Sequence, residues 1–333
     1  MMRATAPSSA APVRSTRRSR RSAEANSSRK TAIAMDTLVT IEVLGAGAPG
    51  AEQAIDRALG WFREIEARCT RFDPGSELRL LCAQPGRPIA VSPLLFRVVE
   101  FAVSVAEATG GAFDPTVGAL LARTGFDRNY ATGVREPCPA ESTRSVTYKA
   151  VILDGERQTI ELGEPLVLDL GAIAKGFAID LAMAELSEFE SAAVEAGGDL
   201  RVRGLNAEGR SWRVGIRHPR HAGTLAEVVA LSDAAICTSA DDERVTADGH
   251  HIFEPQGRRS ARGVASSTVI APTAMAADAF ATAAFVLGPV AGIAFLEKQG
   301  VEGMLVTPAL ERFATKRFEI GRASCRERVS VLV

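Results

Sequence analysis

From Val264 to Leu296 the chain carries a single charged side chain, Asp278. A hydropathy window would take so apolar a run for a membrane span. Pro272, the Gly288-Pro289 break and the hydroxyls of Ser266, Ser267, Thr268, Thr273 and Thr282 divide it instead into a buried strand, a buried helix and a second helix. A carboxylate in the middle of a span would also be costly in lipid, so no intrinsic membrane span is expected. The rest of the chain must therefore build the layers that cover this segment.

It has the material to do so, with 333 residues of which 46% are hydrophobic, enough for a large core in a soluble globular protein. Val39, Ile41 and Val43 alternate along 38–44 as a half-buried strand. Ile55, Leu59, Phe62 and Ile65 recur at helical spacing over 51–68. Ser92 followed by Pro93 starts another helix, with Val98, Val99, Ala102, Val105 and Ala106 as its core stripe and Gly110 as its stop. Residues 151–162, broken at Asp154-Gly155, read as a hairpin. Further strands are expected at 165–169, 192–195, 200–204, 212–217, 226–231, 266–271 and 303–307. Runs of neighbouring strands argue for an α+β fold, with mixed, largely antiparallel sheets packed with helices in one compact unit, and against a doubly wound parallel sheet.

Both ends differ from this middle. Residues 1–32 read as a disordered basic tail, with Arg17-Arg18-Ser19-Arg20-Arg21 and a lone acid, Glu24. No apolar stretch follows the arginines and no cysteine lies near the start, so neither an export signal nor a lipid anchor is expected, and a cytoplasmic location follows as the expectation. Residues 320–333, with Gly321-Arg322-Ala323-Ser324-Cys325-Arg326-Glu327-Arg328, resemble a translated sequencing adaptor and read as a non-native tail. A net charge of −1 gives no general field for nucleic acid. Five widely spaced cysteines form no Cys-x-x-Cys pair, which speaks against a cysteine metal site.

Two segments carry chemistry. In Leu166–Asp180 a buried extended run turns through Gly171 into a helix starting near Ile173, whose N–H groups favour an anion, with Lys175 adding a point charge suited to phosphate. Asp169 sits at the turn. Asp278 and Thr282, four apart on a helix, share one face and offer the oxygen ligands that suit magnesium. Spacing alone does not lift that pair above a local carboxylate and a packing threonine. Gly197-Gly198-Asp199 marks a close backbone approach. His251 stands in a turn after Asp248-Gly249, one of only four histidines. The common phosphate-loop, dinucleotide, hydrolase-elbow and His-Glu-x-x-His motifs are absent.

Taken in order, Met35-Asp36-Thr37, Arg71-Phe72-Asp73-Pro74-Gly75-Ser76-Glu77-Leu78, Gly110-Gly111-Ala112-Phe113-Asp114-Pro115-Thr116-Val117-Gly118, 169–180, Gly197-Gly198-Asp199, His251-Ile252-Phe253-Glu254-Pro255 and 267–288 resemble the ApbE family of flavin transferases over residues 33–318. The resemblance implies an enzyme that uses magnesium to move FMN from FAD onto a serine or threonine hydroxyl of an acceptor flavoprotein, a redox or electron-transfer subunit, with release of AMP. By position, Met35, Phe72, Ala112, Phe113, Asp114, Asp169 and Lys175 would line the FAD site. Asp278 and Thr282, with the carbonyl of Ala172, would hold Mg2+, and His251 would be the base or would orient the attacking hydroxyl.

The chain also departs from the family pattern. Asp36 replaces the glycine of Met-Gly-Thr, Ala240 replaces the glycine of Thr-Ser-Gly, and the turn after His251 is shortened and lacks a threonine. A positive φ at position 240 would disfavour Ala240. The altered turn keeps two alternatives open beside transfer, namely hydrolysis of FAD to FMN and AMP on the same site, and flavin binding without catalysis.

Overall fold

The computed structural model describes residues 27–45, 49–129, 133–135, 147–247, 249–320 and 331–332. Alternation sets its largest sheet: Val39, Ile41 and Val43 point into the core while Leu38 and Thr40 stay more accessible. This strand, β2 (Thr37–Leu44), pairs antiparallel with β1 (Ser27–Ala34). Of the tail expected at 1–32, residues 27–32 instead belong to β1, which pairs along its whole length with β2, and the remainder lies outside the described residues. The cross-strand partners supply what the composition of 27–32 did not signal. The adaptor-like segment 321–330 lies outside the described residues, and Val331–Leu332 pairs in parallel with Val214 and Gly215.

Six more strands complete the sheet: β3 (Ser191–Ala196), β4 (Asp199–Arg203), β5 (Ala235–Ala240), β6 (Ser266–Ala271), β7 (Glu302–Val306) and β8 (Arg312–Ala314). Their order across the sheet is their order along the chain, and every neighbour pair is antiparallel. The sheet is thus a meander with insertions. The largest, between β2 and β3, carries helices α1 (Ala51–Cys69), α2 (Pro93–Ala108) and α3 (Gly171–Glu185). Between β6 and β7 lie α4 (Ala274–Leu287) and α5 (Pro289–Gln299), so the apolar run does divide into a strand and two helices. Among the described residues no helix is long and apolar enough to cross a membrane.

Helices cover one face of the sheet. Helix α1 packs on α3, α3 on α4, and α4 on β5 and β6. Phe62 and Phe285 are fully buried in that layer, each contributing roughly 1.5–3 kcal/mol. On the other face Leu200, Val202, Ile236, Met304 and Val306 meet the hairpin of Trp212–Arg217 and Leu225–Leu231. Ser92 caps α2, its Oγ accepting from Leu95 N at 3.2 Å, and the whole expected stripe is buried. The hairpin at 151–162 forms as strands Val151–Asp154 and Thr159–Leu162.

The strand expected at 165–169 does not form. Leu166, Val167, Leu168 and Leu170 are buried, but Val167 O accepts from Gly118 N at 3.1 Å and Asp169 N donates to Pro115 O at 2.7 Å. Those backbone groups are taken by the Pro115–Val117 turn and the short helix Gly118–Arg123, not by a neighbouring strand.

Candidate active site

Two hairpin tips form one wall of the site. Met35 and Asp36, at φ 52° and 59°, join β1 to β2, and Gly197 and Gly198, at φ 59° and 91°, join β3 to β4. Two central residues at positive φ match the twist of antiparallel strands. The tips abut, since Gly197 N donates to Leu38 O at 3.2 Å and a Cβ on Gly197 would lie 2.6 Å from Thr37 Oγ1. Met35 N donates to Glu66 Oε2 of α1 at 3.1 Å, which fixes the first tip against the helices. Ala240 is not among the positive-φ residues and lies within β5, so the glycine of the family pattern is not required there.

Opposite the tips stand the N-terminus of α3 and the side of α4. Asp180 ties these helices together: its Oδ1 accepts from Ala274 N at 2.8 Å and Arg201 Nη1 at 2.6 Å, and its Oδ2 accepts from Met275 N at 3.0 Å. It thereby satisfies the first N–H groups of the helix that bears Asp278 and Thr282. Gly176 lets the helices close, because a Cβ there would lie 2.4 Å from Ala274 O.

Between these walls is a cavity of about 740 Å3, within the range of small-molecule sites. Met35, Phe72, Ala112, Phe113, Asp114, Asp169, Ala172, Lys175, His251, Asp278 and Thr282 all line it. Residues from opposite ends of the chain thus meet in one place.

Their partners differ in kind. Lys175 Nζ contacts Asp199 Oδ2 and lies 3.6 Å from Asp278 Oδ2, so the ammonium sits between two buried carboxylates. Asp278 Oδ2 is buried without a hydrogen-bond donor, an arrangement that favours a cation. One helical turn on, Thr282 Oγ1 shares a hydrogen bond of 3.0 Å with Ser239 Oγ. Among the described residues no group of three His, Cys, Asp or Glu side chains gathers as a metal centre. A carboxylate, a hydroxyl and a backbone carbonyl fit magnesium, which draws its remaining ligands from water and phosphate.

Asp169 and Asp114 mainly face the protein. Arg71, buried and stacked 4.1 Å above the Phe72 ring, donates from Nε to Asp169 Oδ2 at 2.6 Å, and Gly171 N donates to Oδ1 at 3.0 Å. Burial pushes the Asp169 carboxyl up, but the charge and hydrogen bond of Arg71, the Gly171 N–H and the charge of Arg244 outweigh it and hold the carboxyl below the usual range. Asp114 Oδ1 accepts from Thr116 N at 2.9 Å and Thr116 Oγ1 at 2.7 Å, and Oδ2 accepts from Tyr148 N at 3.0 Å. Burial raises its pKa against those bonds.

The adjacent histidines have different partners. His250 Nε2 meets Ala261 O at 2.9 Å and its Nδ1 accepts from Ile252 N at 3.2 Å, so both nitrogens serve the loop. His251 Nδ1 meets the carbonyl of Glu243 at 3.2 Å. A carbonyl only accepts, so Nδ1 carries the proton and the Nε2 lone pair is left for chemistry. Burial, then the charge of Arg244, pushes the His251 pKa down to about 4. The turn after His251, altered from the family pattern, is held to the body: Gln256 Nε2 donates to Gly111 O at 2.8 Å, Ser260 Oγ donates to His250 O at 2.6 Å, and Phe253 packs with Leu121 and Phe126.

Several lining residues escaped the sequence reading, among them Arg71, Arg217, Ser239 and Arg244. Arg71 lies inside a recognised block and Ser239 in the altered Thr-Ser-Gly, yet only the folded partners, Asp169 and Thr282, reveal what they contact.

An ApbE family profile matches residues 35–305. The chain is 35% identical over 286 residues to a FAD:protein FMN transferase of Treponema pallidum, covering 78% of this chain and 79% of that protein. It is 30% identical over 272 residues to a FAD:protein FMN transferase of Haemophilus influenzae, covering 77% and 78%. In structure it is similar to the crystal structure of an ApbE protein of Thermotoga maritima, with a TM-score of 0.80 at 30% identity over 90% of this chain and 100% of that one. It is also similar to the flavin transferase ApbE of Vibrio cholerae, with a TM-score of 0.78 at 26% identity over 89% and 99%. With both its sequence blocks and its architecture accounted for in this way, the chain belongs to the ApbE family.

Proposed function

We propose that the protein is a FAD:protein FMN transferase that moves FMN from FAD to a serine or threonine hydroxyl of an acceptor protein, a redox or electron-transfer subunit. The observation that carries this reading is the convergence, in one cavity, of a histidine with a free Nε2, a lysine between two carboxylates and a buried carboxylate oxygen without a donor.

In the reaction a new P–O bond forms between the acceptor oxygen and the phosphorus of the FMN half, and the bond from that phosphorus to the AMP phosphate breaks. His251 Nε2 takes the hydroxyl proton, and AMP leaves with the electron pair of the broken bond. Nδ1–H bonded to Glu243 O holds the ring in the tautomer this requires. Lys175 and the N-terminus of α3 face the diphosphate charge. Asp278, Thr282 and the Ala172 carbonyl would hold Mg2+, which supplies charge neutralisation to a diphosphate. Phe72 and Phe113 offer apolar faces for the substrate rings.

The test is AMP release. With FAD and magnesium alone little AMP is expected, and an acceptor should release AMP in step with its flavinylation. Equal AMP and free FMN without acceptor would replace transfer by hydrolysis, and no AMP under either condition would leave a flavin-binding protein.

A further inference from the structure

The two buried carboxylates on either side of Lys175 belong to different parts of the molecule. Asp278 lines the cavity beside the lysine, whereas Asp199 does not line it and touches Lys175 from the side of the sheet. Asp199 opens β4 directly after the Gly197-Gly198 tip and is 2% exposed. Its Oδ1 accepts from Thr238 N of β5 at 3.3 Å, so two strands fix the carboxylate in place. Its Oδ2 is buried with the Lys175 ammonium as its ion partner. Asp278 Oδ2 is also buried, lacks a hydrogen-bond donor and lies 3.6 Å from the same ammonium. Two buried carboxylates and one ammonium leave one negative charge over, and a buried charge without a partner is unfavourable. Lys175 is engaged with Asp199, so Asp278 is the carboxylate open to a further cation.

Resting on the reading of Asp278 as a magnesium ligand, we propose that Asp199 is a positioning residue that holds Lys175 on the side of the sheet, so that Asp278 stays free for the metal ion. Loss of the Asp199 charge leaves Asp278 as the carboxylate beside the ammonium. An ammonium on a flexible stem moves to the carboxylate that remains, and a salt bridge there competes with Mg2+ for the same oxygen. Asp199 touches neither metal nor substrate and acts through Lys175. The hairpin tip makes its placement rigid, because positive φ at Gly197 and Gly198 turns the chain so that Asp199 pairs with Ala196 in the first rung of the β3–β4 ladder.

The test uses Mn2+ alone, an oxygen-seeking ion that stands in for Mg2+ and whose free form is counted by electron paramagnetic resonance. The full chain is compared with Asp199→Asn, with Asp278→Ala and with the double variant Asp199→Asn/Lys175→Met. Asparagine keeps an oxygen for Thr238 N, so Asp199→Asn should retain its fold. Its Mn2+ dissociation constant should rise about tenfold. The double variant lacks the competing ammonium, and its dissociation constant should return to within about threefold of the wild type. A merely structural role for Asp199 would give no such recovery, since the second substitution would then add a further defect to a damaged site. Equal Mn2+ affinity in the wild type and Asp199→Asn, with Asp278→Ala weakened, would overturn the role of Asp199 and leave the magnesium reading standing. A double variant as weak as Asp199→Asn would likewise overturn that role. Unchanged affinity in Asp278→Ala would overturn the magnesium reading itself, and the proposal with it.

Discussion

In the proposed transfer, one backbone carbonyl sets the part that His251 plays. Glu243 O fixes the proton on Nδ1, and burial with the nearby Arg244 charge keeps the ring neutral down to about pH 4. A base must be neutral to act, so activity is retained above that pKa and lost as pH falls through it. The acid limb of kcat/KM should accordingly lie well below 6.5, the ordinary histidine value, and a limb at 6.5 would remove His251 as the base in this environment. Asp36 gives a stability prediction. Its φ of 59° imposes a strain of about 1–2 kcal/mol on an ordinary side chain, less for aspartate, while glycine would add about 0.5–1 kcal/mol of entropic cost. Asp36→Gly should therefore raise the unfolding free energy by about 0.5 kcal/mol in urea titrations, and a clear loss of stability would show that the Asp36 side chain makes a contact worth more than the strain.

At the scale of elements, the site depends on the contact of α3 with α4, which sets Lys175 against Asp278. Gly176→Ala would place a methyl group 2.4 Å from Ala274 O, and relieving that overlap must part the helices. Overpacking of this kind costs about 1–3 kcal/mol. If the proposed magnesium site is right, the variant should lose that much stability and need more magnesium for half-maximal activity, whereas unchanged magnesium dependence would uncouple the helix contact from that proposed site. Elements with a strong period were legible in the sequence. The stripe from Val98 to Ala106 and the alternation at Val39, Ile41 and Val43 each expose one face, and the near-chargeless run from Val264 divides at its prolines and glycine. Strand β5 was not legible because Cys237 meets the helices while Ile236 meets the opposite core, so no polar alternation remains. Leu166 to Leu170 misled for a related reason: a buried apolar run looks like a strand whether its backbone bonds to a sheet or to a turn.

For the whole molecule, the meander explains why a site assembled from distant segments can be precise. The sheet holds its strands in chain order, and the tips and insertions that carry Met35, Lys175, Gly198, His251 and Asp278 gather around one cavity. Sequence blocks identified those positions as a set, yet pairings such as Lys175 with Asp199, Arg71 with Asp169 and Asp180 with the start of α4 are long-range and leave no local period. The most direct measurement is the intact mass of a candidate acceptor domain after incubation with this protein, FAD and magnesium. One FMN should be added to a serine or threonine of the acceptor, and the addition should vanish with EDTA, with Asp278→Ala and with His251→Ala. An acceptor that gains FMN equally well from the Asp278→Ala and His251→Ala proteins would contradict the assignment of this cavity as the place of transfer.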